Sequence, residues 1–537
     1  MSTIKQASKY YKIGNHAKVI ELCKKLLAKN PDFNALRLMG LSLYKKNLLR
    51  DSLAMFDYAQ RLNPDHLELQ LDKIDTMLKL AESVDYSSFV KSALILRKII
   101  KSNPDNFRAH RQLKDAYQKM FFNNNAESVM ADFLKQNPDS AEMNYEYYSF
   151  LVMLGRFDEA REILEKAITL NSVYALDPTW EKVNKGYDPQ KRIDQLIKVN
   201  ETVEVNDFFK AFYYLSRALA HQKQKEFETA FKYFQKANKK YRVNLDYNIQ
   251  YQVGQFNHMI RAFSDDKCKE LQSFSEKFSE PDVVPVFIVG LPRSGSTLIE
   301  SILCAHDEVE GVGEINDFRE NIVTTLATMT ESKRTYSYSL ENIDEETLLT
   351  LRDRYLKLLK TKNSRVNQGS KAKCLVNKML TNFQYVPLIK AMFPKAKIIH
   401  AKRHPIDTMW SSFKIFFNGD DNYLYNLKEA AAHYNLYREL TDHWQSFMGD
   451  DWITVEHEKL TKNPKEEIQR LLDYCGLTWM DKCMNFHKEE MTVRTASFEQ
   501  VRNPITHKER MAWQDYEPYL GELIDNIKPQ YLEEYQG

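Results

Sequence analysis

The chain has 537 residues, of which 43% are apolar, enough for more than one packed core and incompatible with wholesale disorder. Its 76 Lys and Arg stand against 74 Asp and Glu, a formal charge of +2, which excludes a histone-like polycation and leaves anion recognition to local pockets. Cys23, Cys268, Cys304, Cys374, Cys475 and Cys483 show neither CxxC nor metal spacing, and there is no HExxH or calcium-type acidic loop. Reduced thiols, a cytoplasmic setting and no structural metal are expected. The opening MSTIKQASKYYKIG lacks the apolar core of a secretory leader. No run approaches the ~18 apolar residues of a membrane span.

To about residue 280 the pattern is helix after helix. Four Asn-Pro-Asp turns punctuate it, at Asn30–Asp32, Asn63–Asp65, Asn103–Asp105 and Asn137–Asp139. Pro31 and Pro64 lie 33 residues apart, and Pro104 and Pro138 lie 34 apart, whereas Pro64 to Pro104 is 40, an insertion of about six. Counting back from the prolines gives Ser52, Phe56 and Ala59, then Ala126, Met130 and Phe133. The same register falls on Ala160, Leu164 and Ala167, and again on Ala230, Phe234 and Ala237. Small residues let paired helices approach, and the bulky one fills the groove beside them. A helical period near 34 with Asn-Pro ends resembles the tetratricopeptide repeat, over roughly residues 1–245. The competing reading is an unrelated helical bundle, and Val19 and Cys23 depart from the repeat pattern. Pro178, Gly186 and Pro189 mark residues 171–205 as a loop or an irregular repeat. Helical segments around 243–280 are expected to cap the solenoid.

Beyond residue 280, β-branched runs alternate with helical stretches, and ten of the 15 glycines fall there. Val286–Val289 reads as a buried parallel strand. Gly290–Gly295 then turns tightly into an apolar helix, Leu298–Leu303. Strand, glycine loop and helix N-terminus make an anion cradle of backbone N–H groups. The spacing is that of GxxxxGK[ST], with Ser296 in the lysine position and Thr297 after it. That lysine reaches the terminal phosphates of a nucleoside triphosphate and the next hydroxyl holds Mg²⁺, so its loss argues against ordinary ATP or GTP hydrolysis. Arg293, inside the loop, offers a planar fork to a phosphate or sulfate. The alternative is a glycine turn that binds nothing.

A second strand, Lys397–Ala401, leads into Lys402, Arg403, His404, Pro405, Ile406 and Asp407 and then a helix carrying Ser411. Arg403 and Ser411 suit one phosphate between them, as cation and hydroxyl donor. PRSGST (Pro292–Thr297) and RHPIDTMWSS (Arg403–Ser412) together resemble the two nucleotide-binding motifs of sulfotransferases that use 3′-phosphoadenosine 5′-phosphosulfate. The resemblance covers about residues 282–537. It implies that Pro292, Arg293, Ser294, Gly295, Ser296 and Thr297 hold the 5′-phosphosulfate and that Arg403 and Ser411 hold the 3′-phosphate. Such a donor has no β- or γ-phosphate and needs no metal, which fits the missing lysine.

Within that family the domain resembles the tyrosylprotein sulfotransferases. AHDEVEGVGEI (Ala305–Ile315) is similar to a segment ending in their catalytic Glu, here Glu314. LVNKML carries Lys378, matching a Lys at the transferring group, and TASFEQVRNPI carries Ser497, matching a Ser near the same centre. Ala512 stands where those enzymes have a basic residue before the Trp equivalent to Trp513, which leaves Lys508 or Arg510 to supply that charge. They also lack the helical half, and the whole chain resembles tetratricopeptide-linked sulfotransferases of bacteria.

Residue chemistry agrees with these roles. Sulfuryl transfer, like phosphoryl transfer, rests on positioning and charge stabilisation. Glu314 suits the general base: it follows Arg293 by 21 residues in a turn with Gly311 and Gly313, and neighbouring cations keep a carboxylate ionised. Arg293 and Lys378 would neutralise the sulfate and the leaving phosphate, and Ser497 would donate to the bridging oxygen. His306 reads as a helix C-cap, His404 as a loop residue, and His400, beside the second motif, as another histidine easily mistaken for a base. WITVEHEKLTKNP (Trp452–Pro464) reads as a strand and a polar turn without chemistry, and MAWQDYEPYLGEL (Met511–Leu523) as a closing helix.

The expected fold class is α+α/β, an all-α tetratricopeptide solenoid over 1–280 followed by a P-loop-like parallel-sheet domain over 281–537. The expected activity is sulfuryl transfer to an acceptor hydroxyl of a protein, carbohydrate or small molecule, with a protein partner on the repeats and neither nucleic acid nor a membrane span. The alternatives are a degenerate P-loop nucleotide kinase or NTPase and a non-catalytic repeat scaffold.

Overall fold

In a computed structural model, the structure describes residues 3–83, 87–120, 122–243, 245, 247–279, 281, 283–314, 318–323, 325–326, 343–366, 372–417, 419, 421–488, 503–507 and 510–535. The chain divides into two compact units, Met1–Phe150 and Leu151–Gly537. The periodic pattern places a boundary at 280, whereas compactness places one after Phe150.

The first unit is a run of helices: Thr3–Lys12, His16–Leu27, Phe33–Lys45, Leu49–Leu62, Leu67–Ser83, Ser87–Ser102, Phe107–Lys119 and Asn123–Gln136, with the start of Ala141–Leu154. The Asn-Pro-Asp turns supply its caps. Asp32 accepts from the Ala35 N–H at 2.7 Å and so starts a helix. Asn63 and Asn137 end theirs, each donating its N–H four residues back. Ser52, Phe56, Ala59, Ala126, Met130 and Phe133 are all buried, as the repeat register requires. The longer period, from Pro64 to Pro104, resides in longer helices: Leu67–Ser83 and Ser87–Ser102 have 17 and 16 residues, against 13 and 14 for the preceding pair. Arg108 reaches Asp72 and Asp75, both at 2.7 Å, and Arg37 reaches Asp72 at 2.7 Å, which ties three successive repeats together.

The second unit begins with Phe157–Leu170, where Ala160, Leu164 and Ala167 are buried. The irregular stretch after it holds a 3₁₀ turn (Ser172–Leu176), a short helix (Trp180–Val183) and the helix Pro189–Thr202. Asp188 caps the last, with Pro189 in the first turn, where a missing N–H costs nothing. Asp207–Lys223 and Phe227–Arg242 form a hairpin, followed by Ile249–Ala262 and Asp265–Ser275.

Among the described residues, five strands follow: β1 (Val284–Gly290), β2 (Val309–Gly313), β3 (Cys374–Asn377), β4 (Lys397–Lys402) and β5 (Trp452–Glu456). They form one sheet in the order β2-β3-β1-β4-β5, with every pairing parallel. The three inner strands, β3, β1 and β4, are mostly buried, which explains their apolar runs. The chain winds from β1 out to one edge and back, then crosses to β4 on the other side. The topological switch point therefore lies between β1 and β4, where open α/β sheets bind ligands at the strands' carboxyl ends.

One hydrophobic core runs from Leu215, Phe231 and Phe234 through the sheet to Leu523 and Tyr531. The helices between 243 and 280, expected as a solenoid cap, are built into this core instead. Phe256, Met259, Phe263 and Leu271 give them an apolar face that covers the sheet layer, and Gln252 Oε1 meets His433 Nδ1 at 2.9 Å. The segment from Met511 is also not one helix. It forms three short turns, Ala512–Asp515, Glu517–Tyr519 and Gly521–Ile524, because Pro518 and Gly521 interrupt it. After β5 the expected polar turn is a helix, His457–Lys462. Among the described residues, no helix is long and apolar enough to cross a membrane.

Candidate active site

Parallel register places the candidate residues side by side. Gly290, the last residue of β1, pairs with Ala401 of β4, and a Cβ on it would stand 2.6 Å from the Ala401 carbonyl oxygen. The two chains then turn over the same edge of the sheet. Arg293 sits in the left-handed region at φ 67°, and its Nε donates to Ser411 Oγ at 3.1 Å. Arg403 Nη1 donates to the Arg293 carbonyl at 3.0 Å, and its other nitrogen pairs with Asp407. Ser412 Oγ donates to the Pro292 carbonyl at 3.3 Å. The two motifs, 110 residues apart, thus form one cluster. Burial, with repulsion from Arg403, brings the Arg293 guanidinium down to about 10.

Gly295, at φ 90°, is the N-cap of the helix Ser296–Cys304 and offers its first-turn amides no side-chain cap. Ser294, Ser296 and Thr297 are buried around it. Two residues that the sequence reading left without chemistry close this side. His457 lies directly past β5, its Nδ1 2.7 Å from where a Gly295 Cβ would be. Burial, then Arg403 and Arg293, hold that imidazole down to about 3, so it is neutral. Glu458 Oε1 accepts from the His404 N–H at 3.0 Å, and burial pushes the Glu458 carboxyl up. Their only sequence signal is position, one and two residues beyond a parallel strand. His404 is the N-cap of Pro405–Phe413, and burial holds its ring down to about 4. That ring stacks on Trp513 at 5.1 Å. Ser294 Oγ, Arg403 Nε and His457 Nδ1 are buried without a protein partner.

A second cluster forms between β2 and β3. Gly313 pairs with Asn377, and the Lys378 N–H donates to the Gly313 carbonyl at 3.0 Å. The next residues of both strands therefore meet, with Lys378 Nζ 2.6 Å from Glu314 Oε1. Lys378 is 1% exposed and Glu314 44%, so the pair joins a buried cation to a carboxylate on the surface. Glu300, which sequence reasoning missed as a lone acid in an apolar helix, lies 3.4 Å from the same nitrogen. Burial pushes its carboxyl up, against the pull of Lys378. The helix Ser296–Cys304 connects the clusters, with its N-terminus at the first and Glu300 at the second.

Other candidates fall elsewhere. Ser497 and Lys508 lie outside the described residues. Arg510 is exposed and pairs with Asp515 at 2.7 Å. His400 is buried and bonded to the Tyr437 hydroxyl. His306 is not a simple cap, since its two nitrogens meet the Glu308 N–H and the Thr478 carbonyl at 3.1 and 3.0 Å. Among the described residues, no group of three or more His, Cys, Asp or Glu is placed to hold a metal ion.

Comparison with known proteins matches residues 285–481 to the sulfotransferase family model. An uncharacterized protein of Aquifex aeolicus is 25% identical over 476 residues, 87% of this chain and 59% of its own length. Protein-tyrosine sulfotransferase A of Caenorhabditis elegans is 24% identical over 220 residues, 40% of this chain and 55% of its own. The chain thus spans between half and two thirds of the length of these two relatives. Among solved structures, the sulfotransferase domain of the Synechococcus PCC 7002 olefin synthase is 17% identical over 47% of this chain and 98% of that one, with a TM-score of 0.30. A tetratricopeptide repeat protein of Parabacteroides merdae is 17% identical over 46% of this chain and 93% of that one, with a TM-score of 0.34. Behind N-terminal helices with the tetratricopeptide period, residues 285–481 are thus similar to the sulfotransferase family.

Proposed function

We propose that this domain binds 3′-phosphoadenosine 5′-phosphosulfate and moves its sulfuryl group to an acceptor hydroxyl. The observation that carries the reading is the Arg293–Ser411–Arg403 cluster at the switch point, where two guanidiniums lie beside Asp407 and the Glu458 carboxyl, which burial pushes up. That excess of positive charge suits a bound anion, as do the unpartnered Ser294 Oγ and Arg403 Nε. When bound, the donor supplies a sulfuryl group on a phosphate leaving group.

The chain's residues divide the work. Arg293 and the loop Ser294–Thr297 orient the phosphosulfate at the helix N-terminus. Arg403 and Ser411 hold the 3′-phosphate. Glu314, exposed beside Lys378, takes the acceptor's proton as the new oxygen–sulfur bond forms and the bond to the bridging oxygen breaks. Lys378 offsets the charge that develops on the leaving oxygen. Some relatives are named protein-tyrosine sulfotransferases, so a tyrosine peptide is the first acceptor to assay, beside carbohydrate and small hydroxyl compounds. The helical repeats then bind the acceptor or a partner protein.

Calorimetry of adenosine 3′,5′-bisphosphate and of Mg-ATP, on the wild type and Arg403→Ala, tests this. The expected result is metal-independent bisphosphate binding, weakened about 10- to 100-fold in the variant, as for a lost charge-assisted bond. Preference for Mg-ATP overturns the reading in favour of a kinase. Binding of neither nucleotide favours the scaffold.

A further inference from the structure

Lys414 follows Ser411 by three residues at the end of the helix Pro405–Phe413, so the two side chains leave on the same face. Its Nζ lies over the rings of Trp410 (5.5 Å) and Tyr516 (5.9 Å). Its neighbouring charges are Asp407, Arg293, Arg403 and Asp515. Both carboxylates already have arginine partners, Arg403 for Asp407 and Arg510 for Asp515. The anchor that Lys414 does have is neutral: Nζ donates to Gln222 Oε1 at 3.4 Å. The same oxygen accepts from the Tyr516 hydroxyl at 3.0 Å. Gln222 belongs to the helix Asp207–Lys223, in the part of the chain read from sequence as repeats. The next helix, Phe227–Arg242, grips Trp410 through Phe231 and Phe234, at 5.7 and 5.4 Å. Its Asn238 Nδ2 donates to the Phe413 carbonyl at 2.9 Å. The hairpin therefore sets the position of the helix end from which Lys414 leaves.

We propose that Lys414 completes the pocket for the donor's 3′-phosphate beside Arg403 and Ser411, and that Gln222 holds its amine there. A helix of the repeat region is then a working part of nucleotide binding. The direction of the Lys414 pKa agrees: burial, with repulsion from Arg293 and Arg403, brings it down to about 8, as expected of a cation placed among cations to await an anion.

The inference rests on the donor reading above, and nucleotides with and without a 3′-phosphate separate the two. Full-length protein is titrated calorimetrically with adenosine 3′,5′-bisphosphate and with adenosine 5′-monophosphate. Lys414→Met is expected to lower the preference for the bisphosphate about tenfold, the size of one charge-assisted bond, with Lys414→Arg restoring most of it. Gln222→Leu is expected to lower the preference about threefold, and to add little in a Lys414→Met background. Tyr516→Phe, which removes only the other bond to Gln222, leaves the preference unchanged. Equal weakening of both nucleotides by Lys414→Met or Gln222→Leu would mean a structural role and overturns the inference, as does an unchanged preference. If the wild type binds neither nucleotide, the donor reading fails and this inference fails with it.

Discussion

Lys378 faces two carboxylates that are not equivalent. Glu314 is nearer, at 2.6 Å, and 44% exposed, whereas Glu300 lies 3.4 Å away and is mostly buried. In the proposed reaction the acceptor would arrive from solvent on the Glu314 side of the amine, with Glu300 on its buried side. Glu314→Gln keeps the shape of the side chain and removes its basicity. Transfer from labelled donor is expected to fall about 10²- to 10⁴-fold, with bisphosphate affinity within about twofold of wild type. Full turnover in that variant rules out Glu314 as the base. Sequence alone singled out Arg293, Arg403 and Ser411 as candidates, because both motifs carry their own strand and turn, and the structure brings the three together. The 2.6 Å contact between Glu314 and Lys378 was not legible, since 64 residues separate them and only the β2–β3 register joins them. Glu300 had no signal at all, because an acid in an apolar helix reads as an interruption until its buried partner is known.

At the scale of elements, the loop from β1 into the helix Ser296–Cys304 is held by positive φ at Gly290, Arg293 and Gly295 and by close neighbours at both glycines. Gly295 has a left-handed φ, and its Cα faces the His457 ring. Gly295→Ala therefore combines backbone strain of about 1 kcal/mol with a clash against a buried side chain. Thermal unfolding is expected several degrees lower and bisphosphate binding at least about tenfold weaker. A second change, His457→Ala, relieves the clash but not the strain, so it restores only part of the loss. Unaltered binding in Gly295→Ala would show that the loop is not the phosphate cradle. Strand, loop and helix were all legible here, to within two residues at each boundary. The element after β5 was not. His457–Lys462 is six residues long with Leu460 its single apolar residue, too short and polar for periodicity to show.

At the scale of the molecule, several histidines are locked in the core as neutral rings. Burial holds His433 down to about 3, where it stacks on Tyr423 at 3.6 Å. The unfolded chain binds a proton there between about 3 and the ordinary value of 6.5, and the folded chain does not. Stability from this group is therefore full above 6.5 and falls as pH drops below it. His433→Phe keeps the stack and removes the titration. Between about pH 7.5 and about pH 5.5, the wild type is expected to lose about 1 kcal/mol more than the variant in urea unfolding. Equal losses would mean that His433 takes up its proton while folded. The two-part nature of the chain was legible from its glycines and its Asn-Pro-Asp turns. The extent of each compact unit was not, because periodicity records how a helix pair is built and says nothing of which core it joins. Ala230, Phe234 and Ala237 obey the repeat register, yet Phe234 packs on Trp410.

The all-parallel sheet has a consequence for how the protein comes into being. No pair of its neighbouring strands is a hairpin, so each pairing waits for a long crossover to close. Arg293 and Ser411 meet across 118 residues, and no local segment builds their pocket in advance. On the proposed reading, nucleotide capture is therefore among the last properties of this domain to emerge during refolding, and a domain that holds the bisphosphate has already settled the topology of its sheet.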